Sequence, residues 1–211
     1  MVYDDIVKTP TLIEWTPHLA YRDPVYVFYL AIPMYIFRYL GLDYRCVIAC
    51  SPYFSHLVLI SIGDYYFYKV TKILLGQLCA KLSFMVWFFN IYQLDISTRT
   101  QANGYELTLF LIAFYHFIHM TNNFDWHAIM FGFFIMVSFL VRSTGCVAYL
   151  GIIAYSVFFE NRFFVLLKAC LFISIPLFVI STIINSLFYG RFTICSLELI
   201  MYNMKNGMLF E

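Results

Sequence analysis

Arg99, Asn103 and Glu106 stand together in the stretch "STRTQANGYE", residues 97–106, between two strongly apolar runs. An arginine offers a planar fork of donors for a phosphate or carboxylate, a glutamate accepts protons, and an asparagine hydrogen-bonds sugar hydroxyls or orients the other two. Seven residues separate Arg99 from Glu106, two helical turns, so both can lie on one face and meet directly or through Asn103. Two more ionisable groups interrupt apolar sequence: Asp64 in "SIGDYYFYKV" and Arg142 in "FLVRSTGCVAYL". An ionisable side chain beside hydrocarbon is costly unless it finds a partner, which makes each a functional candidate. Plainer roles stay open: a helix-end carboxylate paired with a lysine for Asp64, a snorkelling side chain for Arg142, a solvated loop for 97–106.

The elements carrying these residues belong in a bilayer. The chain is 63% hydrophobic, 21% aromatic and 12% charged, half the charge of an average soluble domain. A crossing helix needs about 20 mostly apolar residues, and the 211 residues allow about seven short spans in one all-α, multi-span membrane domain, 1–211. Residues 1–23 read as a polar loop without a cleavable signal peptide. Spans are expected at about 24–40, with a kink at Pro33, from Cys46 towards Asp64 with Lys69, Lys72 and Gly76 marking a frayed end, and at about 79–95, 105–120, 124–140, 144–159 and 163–188. Residues 189–211 read as an interfacial tail. Short spans joined by tight turns, "TNNFD" and "VRST", are of the kind that lines cavities.

The 13 basic and 12 acidic residues are dispersed, which argues against nucleic acid as a partner. Cys46 and Cys50 can share a helix face, and His116, His119 and His127 imitate a metal cluster. Neither set has the spacing of a closed zinc site, so no metal is expected.

Taken together, the polar segments resemble the GPI-anchor mannosyltransferases, members of the dolichyl-phosphate-mannose-dependent alpha-mannosyltransferases of the endoplasmic reticulum. "TRTQANGYE" is similar to the family's "TRTxxNxxE". "IEWTPHLAYRDPVY" is similar to "WEWTxxLRSYxYP", with Trp15 in register and Arg22 matching after a two-residue insertion. "SPYFSHLVLISIGDYYFYKV" looks like the helix that carries an aspartate, here Asp64, and "LVRSTGCVAYL" like an "RPT" segment with Ser143 in place of proline. "INSLFYGRFTICSLELIMYNMKNGMLFE" follows the family's last shared segment, with Asn185, Phe192 and Glu198 departing from it. The wording is nearest to the type that adds the third GPI mannose.

The resemblance implies a GT-C-like transmembrane glycosyltransferase core in the endoplasmic reticulum membrane. It implies transfer of mannose from dolichyl-phosphate mannose to a GPI glycolipid precursor, with no cofactor beyond that lipid-linked donor. The family's acidic "HPDE"-like motif is represented only by Asp4 and Asp5, so Asp5, then Asp4, is expected as the catalytic base. Arg22, Arg99 and Arg142 would contact phosphate or sugar, Glu106 and Asn103 would orient an arginine or bind sugar hydroxyls, Trp15 would stack on a sugar, and Asp64 is carried over as a substrate contact. The family pattern is longer at both ends, so the chain reads as truncated. Two rivals remain: an inactive relative acting through lipid or partner binding, and a small transporter in which Asp64, Arg142 and Glu106 form a charge relay.

Overall fold

The computed structural model describes residues 24–42, 44–91, 102–142, 147–198 and 201. Helix α1 (Val25–Tyr39) is unbroken at Pro33. It turns back on α2 (Arg45–Phe88), and the Tyr29 hydroxyl donates to the Ser55 carbonyl at 2.7 Å.

α2 is where the chain departs from expectation. Lys69 and Lys72 do not mark a frayed end; the helix continues through them to Gly76, whose φ of 84° and ψ of 172° break it. A straight helix would place residues 64 and 87 about 35 Å apart. Instead the Trp87 indole donates to the Asp64 carboxylate at 2.7 Å, Phe67 stacks on Trp87 at 4.3 Å between centroids, and Tyr68 meets Phe84 at 6.0 Å. All three pairs are arranged symmetrically about Gly76, so α2 is a helical hairpin with arms 45–75 and 77–88. The second arm is only about 18 Å long at 1.5 Å per residue, too short to cross a hydrocarbon core of about 30 Å. Over its described residues the crossing helix expected at 79–95 is therefore a returning arm packed on its predecessor, whose helix ends at Phe88, while 92–95 lie outside the described residues.

Helices α3 (Ala102–His119) and α4 (Trp126–Val141) form the central antiparallel pair. Ala113, Phe117, Ala128 and Phe131 pack between them, with Tyr149 of α5 (Val147–Phe158) and Val165 of α6 (Phe163–Ala169) closing the same core. The first arm of α2 runs parallel to α3. Gly63 abuts Thr108 so closely that a Cβ there would lie 2.5 Å from Thr108 Oγ1, and Tyr66 meets Tyr115 farther along. A π-helical turn, Cys170–Ser174, joins α6 to α7 (Ile175–Tyr189) and accommodates Pro176 at the start of α7. Ser174 donates to the Gly132 carbonyl, and Phe139 meets Phe178, so α7 runs alongside α4 towards the Arg142 end.

Two stretches among the described residues, Arg45–Phe88 and Phe163–Tyr189, are long and apolar enough to cross a membrane; Trp126–Val141 and Val147–Phe158 are apolar but shorter. Large side chains such as Leu78, Val86, Phe164 and Leu187 are exposed along these helices. Such an apolar exterior suits lipid, where helix packing relies on close contact of small residues rather than on exclusion of water.

The α3–α4 turn is closed by Asp125, which caps α4 by accepting from the Ala128 N–H at 2.9 Å and from the Thr121 hydroxyl at 2.9 Å. Burial pushes the Asp125 pKa up, but the Ala128 and Thr121 donors favour the ionised form more, so it lies below the ordinary 3.8. A depressed pKa contributes stability above the unfolded value that is lost as pH falls through the folded one. Asp125→Ala is accordingly expected to cost about 1 kcal/mol at neutral pH. Thermal unfolding of the solubilised chain at a series of pH values checks it, the difference closing below the carboxylate range.

Candidate functional site

Among the sequence-selected residues, the structure describes Asp64, Asn103, Glu106 and Arg142; Asp4, Asp5, Trp15, Arg22 and Arg99 lie outside the described residues. Asn103 and Glu106 occupy the first turns of α3, three residues apart and thus on one face. α4 returns antiparallel and ends beside them. At its C-cap, Arg142 leaves the helix with extended backbone (φ −155°, ψ 118°), which throws its side chain across to α3. There one guanidinium nitrogen, Nη1, donates to Asn103 Oδ1 and lies 3.7 Å from Glu106 Oε2.

Arg142 therefore does not snorkel alone. It forms the cationic centre of a three-residue cluster drawn from two helix ends. Its side chain is 42% exposed against 24% for Glu106, so part of the fork stays open to a ligand. Pairing at this exposure contributes little to stability, about 0–1 kcal/mol.

Beneath it are two groups that sequence reading passed over. Ser138 lies one turn before Arg142 on α4, and Tyr149 enters from α5 with its ring against Phe110. Their hydroxyls face one another, and the Glu106 carboxylate on α3 lies within electrostatic range of the Tyr149 oxygen. No sequence signal distinguishes Tyr149 among 18 tyrosines.

Asp64 has a different setting. It follows Gly63, which abuts Thr108, so it sits near the depth of Glu106 but is turned about 100° around α2 from that contact. Its carboxylate accepts from Trp87, and Lys69, the nearby lysine, instead lies 4.6 Å from the Tyr65 ring centroid and 5.2 Å from that of Tyr115. An asparagine oxygen can accept from the indole as well. Asp64→Asn is therefore expected to leave the hairpin intact and Asp64→Ala to loosen it by about 0.5–1.5 kcal/mol, the net contribution of one half-buried hydrogen bond, as read by thermal unfolding. Between the arms, Phe67, Leu82, Ser83, Val86, Trp87 and Asn90 line an open groove of about 400 Å³.

At the opposite end of the α3–α4 pair, His116 and His127 bring their Nδ1 atoms to 3.0 Å, and His119 reaches the Tyr115 carbonyl at 2.9 Å. Among the described residues no three His, Cys, Asp or Glu side chains are placed to hold one metal ion. Cys46 and Cys50 are both exposed.

Residues 11–209 match the Alg9-like mannosyltransferase family. The chain is also similar to GPI alpha-1,2-mannosyltransferase 3 of Bos taurus, with 22% identity over 196 residues. That alignment covers 92% of this chain and 36% of the relative, so the chain spans little more than a third of the length of the protein it matches. No solved structure matches it.

Proposed function

The chain belongs to the Alg9-like mannosyltransferase family, and from that premise we propose that it transfers mannose from dolichyl-phosphate mannose to a GPI-anchor precursor, as a multi-pass protein of the endoplasmic reticulum membrane. The observation that carries this reading is the contact of Arg142 with Asn103 and Glu106. Two segments that the family resemblance selects, one carrying Asn103 and Glu106 and the other, 36 residues after Glu106, carrying Arg142, meet in one cluster at helix ends.

In this reaction an acceptor hydroxyl attacks the anomeric carbon as the dolichyl phosphate departs, with inversion. The acceptor proton goes to a carboxylate acting as general base; Asp5, then Asp4, is the group proposed. Charge develops on the departing phosphate, and a guanidinium fork meets phosphate oxygens with paired, charge-assisted hydrogen bonds. Arg142 is assigned that contact, with Arg22 and Arg99 as further cations. Asn103 fixes the orientation of the Arg142 fork, Trp15 stacks on a sugar face, and Asp64, already bonded to Trp87, supports the hairpin flanking the site. The donor's phosphate leaves carrying its own charge to a protein cation, so no nucleotide or metal cofactor is invoked.

Microsomes from cells that lack the third GPI mannose provide the test. Expression of this chain is expected to convert the accumulated precursor to its mannosylated product, scored by chromatography. Precursor left unchanged by a chain that is expressed and membrane-inserted would remove the reading.

A further inference from the structure

Ser138 and Tyr149 are buried, at 0% and 1% exposure, and their hydroxyls have only each other as a near polar neighbour, so that at least one O–H donor stays unspent. Leaving a buried hydroxyl donor unspent is costly, so the pair calls for an acceptor that arrives. The Tyr149 ring is clamped between Phe110, 5.4 Å away, and Phe131, 6.5 Å away, so its hydroxyl has little freedom to seek one. The nearest acidic group on the facing helix is Glu106, one helical turn before the Phe110 that Tyr149 packs against and within electrostatic range of the Tyr149 oxygen. Glu106 itself is loosely held: its oxygen lies 3.7 Å from Arg142 Nη1, beyond hydrogen-bonding distance.

We propose that Tyr149, backed by Ser138, is a positioning residue that receives the Glu106 carboxylate when Arg142 engages the phosphate of a lipid-linked sugar. This rests on the mannosyl-transfer reading and adds to it a two-position glutamate. In the empty site Glu106 partly neutralises Arg142, and an incoming phosphate must compete with it. Moving the carboxylate onto the two hydroxyls gives each buried O–H an anionic acceptor, separates Glu106 from the phosphate and leaves the whole fork for the ligand. The clamped ring loses little freedom in making the bond.

The test is binding of dolichyl phosphate to the full chain in lipid nanodiscs. Tyr149→Phe is expected to weaken binding about tenfold, the size of one hydrogen bond to a charged group, and Ser138→Ala by less. In a Glu106→Gln background there is no charge to relocate, so Glu106→Gln and the Glu106→Gln/Tyr149→Phe double variant should bind alike. A merely structural role for Tyr149 would weaken binding equally in both backgrounds, and that result overturns the inference. Equal binding by the wild type and Tyr149→Phe overturns it too, while leaving the mannosyl-transfer reading intact. A wild-type chain that does not bind dolichyl phosphate overturns both. Should Tyr149→Phe fail to fold, Ser138→Ala compared across the same two backgrounds decides the question in the same way.

Discussion

An Arg142→Ala chain is expected to keep its fold and to lose about 100-fold in mannosyl-transfer rate, the usual effect of deleting one group that meets charge developing in a transition state. The fold survives because Arg142 sits past the last turn of α4, 42% exposed, where its contact with Glu106 contributes at most about 1 kcal/mol. On the proposed reaction the rate falls because the cation assigned to the departing phosphate is gone. Arg142→Lys should recover little of it: an ammonium keeps the charge but cannot bond Asn103 and two phosphate oxygens from one plane. The measurement is initial rate against donor concentration, with thermal unfolding run in parallel. A rate loss that tracks a fall in melting temperature would instead make Arg142 a structural residue.

Gly76→Ala is expected to destabilise the chain by about 1–3 kcal/mol through a single dihedral pair. With φ of 84° and ψ of 172°, Gly76 occupies a region that is in practice reserved for glycine. An added Cβ would meet nothing within 4 Å, so the cost is backbone strain rather than collision, and no neighbour can relieve it by moving. A chain that escapes the strain by straightening loses the Asp64–Trp87 hydrogen bond and the Phe67–Trp87 stack together. Thermal unfolding of Gly76→Ala beside Leu75→Ala, an exposed neighbour in ordinary helix, isolates the effect. Equal melting temperatures for the two would argue that α2 does not need the turn.

That turn also shows where sequence reading stops. Apolar runs disclose helices because burial in lipid and burial in protein demand the same side chains, and α1, α3, α4 and α5 lie close to their expected positions. Hydrophobicity carries no direction, however. Residues 79–95 read as a further crossing, yet one glycine dihedral folds 77–88 back, and the Asp64–Trp87 bond across 23 residues exists only because of that fold. Likewise Asp64 was legible as an unusual carboxylate but its indole partner was not.

The cluster divides in the same way. Asn103 and Glu106 were readable as one face from their spacing, and Arg142 as a charge interrupting apolar sequence. Their meeting depends on α4 returning antiparallel and ending level with the start of α3, which no local pattern encodes. Ser138 and Tyr149 left no trace, since a serine in an apolar run and one more tyrosine are ordinary in lipid-facing helices.

Reconstituting the purified chain with dolichyl-phosphate mannose, radiolabelled in the sugar, and GPI precursor tests the central claim most directly. The account predicts label appearing in the glycolipid with wild-type protein and about a hundredth of that rate with Arg142→Ala. Label transferred equally well by Arg142→Ala, or a folded wild-type chain that transfers none, would contradict it.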